Sequence, residues 1–182
     1  MQNPWQTLNS KTLLENPWWK VQQDQIVRPD GSRGEYNIVV TTDSVFAVTI
    51  TDKNEFVLVE QFRYISGKLS LEVPGGAMDE GDPLDNAKRE LREETGITAT
   101  TWTDLGEVIP ANGFSSEKMH VFIAQDLSFV HEAPEQDEGI GKVLHLPFPE
   151  VLELIKTNKL DDGQSISAIF MAALQLGLLH AA

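Results

Sequence analysis

The chain has 182 residues, of which 28 are Asp or Glu and 14 are Lys or Arg, so its formal net charge is −14 at pH 7. This length is typical of one domain with a sizeable core. The charge argues against nucleic acid as a partner, because phosphate neutralisation needs clustered Lys and Arg. The absence of cysteine excludes disulfides, thiolate metal sites and a cysteine nucleophile.

The chain carries no pattern typical of secretion or of a membrane span. Residues 1–19 contain no basic segment followed by an apolar run. No stretch approaches the ~18 consecutive apolar residues of a spanning helix. We therefore expect a cytoplasmic protein with no membrane partner.

The first half of the chain reads as strands, at residues 21–26, 36–42, 45–51 and 56–61, with turns at 28–31 and 52–54. Another strand ends at residues 72–76. A helix follows, with Asp82 as N-cap, Pro83 as its first residue and Gly96 as its stop.

The second half predicts strands near residues 101–108, 120–124 and 142–146, then a helix from Pro149 to about Lys156 and another over 165–178. Continuous apolar runs such as residues 45–48 indicate a sheet that is covered on both faces. The predicted fold class is α/β, with a mixed sheet between helices.

The amino-terminal segment is rich in tryptophan. Residues 1–35 carry Trp5, Trp18 and Trp19, which are too apolar for a free tail. They pack either on their own domain or on a second copy of the chain. We divide the chain into an N-terminal arm, residues 1–35, expected to form a homodimer, and a main domain, residues 36–182.

Three carboxylates lie close together on the predicted helix. Residues 89–97 read Arg-Glu-Leu-Arg-Glu-Glu-Thr-Gly-Ile, which places Glu90, Glu93 and Glu94 at i, i+3 and i+4. Like charges at these spacings repel, and the helix dipole disfavours acids in a last turn. A solvated acidic face is the plain interpretation. A site for a hard divalent cation is the functional one, and it explains why an unfavourable pattern is kept.

This segment resembles the Nudix hydrolase box, Gly-x5-Glu-x7-Arg-Glu-U-x-Glu-Glu-x-Gly-U, where U is aliphatic. The second half matches at every fixed position from Arg89 to Ile97. The first half departs from the pattern. In one alignment, Gly75 occupies the position of the box glycine and Gly81 that of the first box glutamate. In the other alignment, which we prefer, Gly76 and Asp82 occupy these two positions, and the segment that follows is one residue shorter than in the box.

Further segments resemble the ADP-ribose and nucleotide-sugar pyrophosphatase branch of this family, namely residues 56–64, 71–76, 110–117 and 135–140. Together they cover most of residues 5–178. The resemblance implies a Nudix-type α/β/α sandwich with a mixed sheet and an N-terminal β-rich arm that dimerises. It also implies Mg²⁺-dependent hydrolysis, with Mn²⁺ as an alternative, of ADP-ribose or a related nucleoside diphosphate sugar to a nucleoside monophosphate and a sugar phosphate.

The resemblance also implies roles for individual residues. It assigns metal binding to Gly75 through its carbonyl, Glu90, Glu94 and Glu138. It assigns catalysis to Glu93, which could instead be a further metal ligand or an acid behind the ligands. It also assigns catalysis to Glu138, with Glu135 and Asp137 as alternatives to Glu138. Substrate binding falls to Arg63, Glu72, Phe114 and Glu117, although Arg63 could instead pair with Glu72 or Glu117. Arg89 is expected to hold the loop by pairing with an acid.

Two other functional classes stay open. One is a nucleotide sensor of the same fold that does not hydrolyse its ligand, against which the intact glutamate triad argues. The other is a Nudix enzyme for a different nucleotide, such as GDP-mannose, a dinucleotide or NADH. The amino-terminal region and the two later loops disfavour nucleoside triphosphate cleanup. The lack of cysteine disfavours diphosphate-isoprene isomerisation, whose family uses a thiol.

Overall fold

The computed structural model describes residues 3–130 and 139–179. The described backbone divides into two compact units, one within residues 1–43 and 109–118 and the other within residues 44–108 and 119–182. These two units are defined by contacts within one chain, so they do not test whether residues 1–35 form a separate arm that dimerises. That arm stays a prediction. No helix in the described ranges is long and apolar enough to cross a membrane.

The first unit is a three-stranded antiparallel sheet with the order β1-β2-β3. Its strands are β1 (Gln6–Glu15), β2 (Trp19–Val27) and β3 (Arg33–Thr41). The predicted turn joins β2 to β3, where the Arg28 N–H donates to the Ser32 carbonyl at 2.8 Å. Residues 109–118 complete this unit, because the Val39 N–H donates to the Phe114 carbonyl at 2.7 Å.

The amino-terminal tryptophans are not buried within the single chain. Trp5, Trp18 and Trp19 are 43%, 73% and 39% exposed, and every residue of β1 is exposed. Packing on their own domain covers them only in part, as where the Trp5 ring meets the Tyr36 ring edge to face with centroids 6.2 Å apart. The homodimer remains as the interpretation that would cover them, and it is taken up as a proposal below.

The second unit contains a seven-stranded mixed sheet and three helices. Its elements are β4 (Ser44–Ile50), β5 (Glu55–Arg63), β6 (Lys68–Glu72), β7 (Gly75–Ala77), α1 (Pro83–Thr95), β8 (Ile97–Val108), β9 (Met119–Phe129), β10 (Ile140–Pro147), α2 (Phe148–Lys156) and α3 (Gly163–Gln175). The central order is β10-β5-β4-β9-β8, with β6 paired to β5 and β7 paired to β4. The β4 and β9 strands run parallel, which makes the sheet mixed.

The alternation of side chains along β4 places helices on both faces of this sheet. Val45 packs with Ala87 of α1 on one face. Phe46 and Val48 pack on the other face in a cluster that includes Ile169 of α3 and residues of α2. The predicted α/β class, a mixed sheet between helices, is confirmed, and both faces of β4 are buried as its continuous apolar run indicated.

Several element boundaries differ from the prediction by a few residues. The β8 strand begins at Ile97, directly after α1, rather than near residue 101. Helix α2 begins at Phe148 because Pro147 is the extended N-cap residue. Helix α3 is capped by Asp162 and ends at Gln175, just before the turn in which Gly177 has a φ of 66°. Such shifts are usual where a cap, rather than apolar periodicity, sets the end.

Candidate active site

A short loop between β6 and β7 forms one wall of the candidate site. The Ala47 N–H donates to the Pro74 carbonyl at 2.8 Å, which ties the loop to β4. The buried Val73 N–H donates to Ser165 Oγ at 2.9 Å, which ties it to α3. Gly75 must be a glycine here, since a Cβ on it would lie 2.2 Å from the Val45 carbonyl oxygen.

Helix α1 forms the facing wall, and local sequence fixes both of its ends. The Asp82 carboxylate accepts hydrogen bonds from the Leu84 and Asp85 N–H groups at 2.9 and 3.4 Å. Gly96 ends the helix with a φ of 67° and donates its N–H to the Arg92 carbonyl. Asp82, the residue that the preferred box register places at the first glutamate, therefore serves as the N-cap.

Two of the three box glutamates are buried against the glycine loop. Glu90 and Glu94 are only 7% and 4% exposed. The Gly75 N–H donates to Glu94 Oε2 at 2.9 Å. A Cβ on Gly76 would fall 2.9 Å from the carboxylate carbon of Glu90. The structure thus places both predicted principal ligands at the two glycines, next to a space that a larger residue would fill.

Arg89 links the helix to the loop before it, as predicted. Its Nη2 lies 2.7 Å from Glu90 Oε1 and 3.2 Å from Asp79 Oδ2, and its Nη1 donates to Glu93 Oε2 at 2.7 Å. Burial works against the charge of Arg89, but the hydrogen bond to Glu93 and the charges of all three acids outweigh it and raise its pKa. Glu93, which is half-buried, is therefore held by Arg89 rather than by the loop.

Asn86 is a positioning residue that sequence reasoning missed. Its side chain is buried, accepts the Asp79 N–H at 2.9 Å and donates to the Asp82 carbonyl at 3.1 Å. It therefore fixes the segment that precedes α1, including the residue that pairs with Arg89. The sequence did contain a sign of this role. An asparagine inside a helix, here four residues after the N-cap, is unusual because its side chain competes with the backbone for hydrogen bonds.

Arg63 and Glu72 form a bidentate ion pair across the β5–β6 hairpin. Arg63 Nε donates to Glu72 Oε1 at 2.8 Å, and Arg63 Nη2 donates to Glu72 Oε2. The hydrogen bond to Glu72 raises the pKa of Arg63 despite its burial, with the charges of Glu72, Asp162 and Glu94 contributing in the same direction. Glu72 is one of the two acids that were expected to pair with Arg63.

Three other predicted site residues lie outside the described part of the second unit that holds Glu90 and Glu94. Phe114 and Glu117 belong to the first unit, where Phe114 is exposed and the Glu117 N–H donates to Ser115 Oγ at 3.2 Å. Glu138, like its alternatives Glu135 and Asp137, lies outside the described residues. The roles expected for Phe114, Glu117 and Glu138 stay predictions.

The carboxylates of Glu90 and Glu94 are chemically suited to a hard divalent cation, but they do not form a complete metal site with a third acidic or histidine side chain among the described residues. Within residues 3–130 and 139–179, no three histidine or acidic side chains lie in a group that could hold a metal ion. Glu90 and Glu94 nevertheless supply buried carboxylate oxygens beside the space left by Gly76. Oxygen donors of this kind suit Mg²⁺ or Mn²⁺. A third ligand must come from elsewhere, and the Gly75 carbonyl and Glu138 are the predicted sources.

Comparisons with known proteins agree with this geometry. A family model described as "NUDIX domain" matches residues 40–170, and one described as "Nucleoside diphosphate sugar hydrolase N-terminal domain" matches residues 5–39. The Methanol dehydrogenase activator of Bacillus methanolicus is 31% identical over 176 residues, which cover 96% of this chain and 95% of that protein. The ADP-ribose pyrophosphatase of Bacillus subtilis is 31% identical over 148 residues, 80% of each chain.

A solved structure, described as a crystal structure of ADP compounds hydrolase, shares the fold. It superposes with a TM-score of 0.84 at 24% sequence identity and covers 95% of this chain and 94% of that one. The α/β/α arrangement with an amino-terminal β-rich region is therefore confirmed by a structure as well as by the strand order. The match of residues 40–170 likewise confirms the resemblance first seen between Arg89 and Ile97.

Proposed function

Since the chain belongs to the Nudix family, we propose that it is a metal-dependent pyrophosphatase acting on ADP-ribose or a related nucleoside diphosphate sugar. The products are a nucleoside monophosphate and a sugar phosphate. The observation that carries this proposal is the burial of Glu90 and Glu94 against Gly75 and Gly76. The similarity to an ADP-ribose pyrophosphatase and to the amino-terminal domain of nucleoside diphosphate sugar hydrolases supports the substrate class.

The residues that would hold the cation are Glu90 and Glu94, together with the Gly75 carbonyl and Glu138. We propose Mg²⁺, with Mn²⁺ as an alternative, because hard oxygen donors prefer such ions. When bound, a divalent cation supplies charge neutralisation for the diphosphate and a lowered pKa for a coordinated water. A cation is needed because the protein has a net charge of −14 and would otherwise repel an anionic diphosphate.

The remaining site residues orient groups around this centre. Arg89 holds Glu93 at its surface-facing position, from which a carboxylate can accept a proton from an attacking water. Glu72 fixes the Arg63 guanidinium with two hydrogen bonds, and the Arg63 side chain remains half exposed. A fixed, permanently charged guanidinium suits contact with a phosphate. We assign Arg63 to substrate binding and Glu72 to its orientation.

The protein is proposed to act as a homodimer through its amino-terminal strands. The β1 strand lies at the edge of its sheet and pairs only with β2 among the described strands. Apolar side chains along this segment, such as Trp18 and Leu14, are largely exposed. A second copy of the chain would remove them from water. The cytoplasmic location and the absence of nucleic acid as a partner stay predictions from the sequence.

Product analysis tests the proposed activity directly. ADP-ribose, GDP-mannose, other nucleoside diphosphate sugars, NADH and dinucleoside polyphosphates are incubated with the protein in Mg²⁺, in Mn²⁺ and in EDTA. We expect AMP and ribose 5-phosphate, or the matching pair from a preferred substrate, only with metal. Binding of these compounds without any turnover would instead support the nucleotide sensor.

Glu94→Gln tests the assignment of the site. Glutamine keeps an oxygen that can accept the Gly75 N–H, so the fold should stand. We expect kcat to fall by roughly 10²-fold or more, as for other lost electrostatic groups in active sites. The matched control is Glu153→Gln on α2, which changes an exposed glutamate paired only with Lys156 in the described structure. Equal turnover in the wild type and Glu94→Gln would refute the metal assignment.

A second candidate function is activation of a dehydrogenase. The supporting observation is the similarity to the Methanol dehydrogenase activator, which extends over 96% of this chain. The test adds this protein to the methanol dehydrogenase of Bacillus methanolicus and measures its rate. Activation by the wild type but not by Glu94→Gln would show that hydrolysis and activation of the dehydrogenase depend on the same site. Activation by neither protein would remove this candidate.

A further inference from the structure

A cleft between α1 and the start of β8 shares Arg89 and Glu93 with the candidate active site and extends away from Glu90 and Glu94. It encloses about 520 Å³, a volume in the range of small-molecule sites. Its walls come from one helix and one strand of the same unit. They are Lys88, Arg89, Arg92, Glu93, Thr98, Ala99 and Trp102.

The residues that line this cleft include more cations than acids, although the protein as a whole is acidic. Three of its lining residues are cationic and one is acidic, whereas the chain as a whole has a net charge of −14. Lys88 and Arg92 stand four residues apart on α1, where like charges disfavour the helix. The helix dipole favours Arg92 near the last turn but offers nothing to Lys88 in the middle of the helix. Lys88 is paired with Asp85 at 3.0 Å, so a phosphate on this surface would share Lys88 with that exposed carboxylate.

Trp102 supplies a fixed aromatic wall. Its Nε1–H donates to the Ala99 carbonyl at 3.1 Å, and its ring meets the Phe122 ring edge to face, with centroids 6.4 Å apart. The indole is therefore held in one orientation and half-buried. A rigid aromatic surface beside cationic side chains suits a ligand that joins a phosphate to a ring.

We propose that this cleft binds a phosphomonoester, with the phosphate on Lys88 and Arg92 and the attached ring against Trp102. The class is that of the reaction products, so the choice of ligand rests on the proposed function, but the cationic cleft itself does not. Arg89 connects the two places, because its guanidinium contacts both Glu90 and Glu93 at 2.7 Å. A phosphate that attracts Arg89 weakens its hold on these glutamates, so the bound ligand lowers the rate of hydrolysis.

Calorimetric titration in EDTA tests the site without any turnover. Inorganic phosphate, ribose 5-phosphate and AMP are titrated into the wild type, Lys88→Ala, Arg92→Ala and Glu94→Gln. We expect AMP to bind most tightly, each cation variant to weaken its binding by about 10-fold, and Glu94→Gln to bind normally. The control is Lys156→Ala, because Lys156 and Lys88 each pair with an acid three residues earlier, Glu153 and Asp85.

The outcomes separate this inference from the proposed activity. Binding that survives Lys88→Ala and Arg92→Ala but is lost in Glu94→Gln would place the ligand at the glutamates and overturn the cleft site. No binding of any phosphomonoester to the wild type would also overturn it. If the cleft binds AMP but no substrate is hydrolysed, only the proposed function fails.

A steady-state measurement tests the coupling through Arg89. With substrate and Mg²⁺, added AMP should lower the kcat of the wild type, and substrate should not relieve this effect. In Arg92→Ala the same inhibition should need roughly 10-fold more AMP. Inhibition that only raises KM, equally in the wild type and Arg92→Ala, would show competition at the substrate site and refute the coupling.

Discussion

Gly75 and Gly76 are adjacent, but a side chain added at each would contact a different kind of group. A Cβ at position 75 would strike the Val45 carbonyl oxygen at 2.2 Å, which belongs to the backbone of a central strand. A Cβ at position 76 would strike the carboxylate of Glu90, which is the far end of a flexible side chain. The first contact can be relieved only by moving a strand. The second can be relieved by moving the predicted metal ligand.

Gly75→Ala and Gly76→Ala should therefore fail in different ways. We expect Gly75→Ala to lower the free energy of unfolding by about 1–3 kcal/mol, as overpacking does. We expect Gly76→Ala to remain nearly as stable as the wild type, but to lose about 10-fold or more in kcat and to require more Mg²⁺. Urea unfolding and initial rates over a range of Mg²⁺ concentrations measure these effects.

Gly163→Ala is the matched control for both variants. A Cβ on Gly163 meets nothing within 4 Å, and its residue begins helix α3. Stability and turnover should therefore change little. If Gly76→Ala turned over substrate at the wild-type rate, the carboxylate of Glu90 would have no role at this position.

At the scale of elements, helix α3 supports the glycine loop from outside the site. Its cap residue Asp162 accepts the Ser165 N–H at 2.7 Å, and Ser165 Oγ accepts the Val73 N–H at 2.9 Å. Ser165 and Val73 are both buried. The strand end that leads into Pro74 and Gly75 is therefore fixed by the first turn of a helix 92 residues further along the chain.

Ser165→Ala should destabilise the fold by about 1–3 kcal/mol, since it leaves the Val73 N–H buried without its acceptor. Urea unfolding measures this loss. The control within the same helix is Ser167→Ala, because Ser167 is only partly buried and its hydroxyl donates back to the Gly163 carbonyl at 2.8 Å. Similar unfolding free energies for the two variants would show that the bond to Val73 contributes nothing measurable.

At the scale of the whole molecule, the amino-terminal sheet exposes large apolar side chains. Leu14 is 57% exposed on the edge strand β1, and Trp18 follows it after a short turn. An edge strand with an apolar surface invites pairing with another chain. A homodimer formed through this strand would bury these side chains, as the exposed tryptophans also suggest.

Leu14→Asp should therefore convert the proposed dimer to a monomer. Burying an unpaired carboxylate in an interface is costly, so the association constant should fall by at least about 10²-fold. Sedimentation equilibrium over a range of concentrations measures the mass. Leu174→Asp is the control, because Leu174 is similarly exposed, at 66%, but lies on α3 in the other unit. A monomeric wild type at all concentrations would refute the dimer.

The features that could be read from the amino-acid sequence alone depend on near neighbours in the chain. The cap at Asp82, the stop at Gly96 and the spacing of Glu90, Glu93 and Glu94 all follow from residues a few positions apart. Strand β4 was also readable, because its continuous apolar run needs burial on both faces. The family followed from the same local pattern. Strand β1 was not predicted individually, since its residues are all exposed and show no clear alternation.

Contacts between groups that are distant in the chain became visible only in the folded protein. The fold paired Arg63 with Glu72, and it placed Glu94 on the N–H of Gly75, 19 residues earlier. It also gave Asn86 its role in holding the loop before α1. Sequence spacing fixes directions within one helix or strand, because their geometry is regular. It does not fix contacts across loops, which depend on how the sheet and helices pack together.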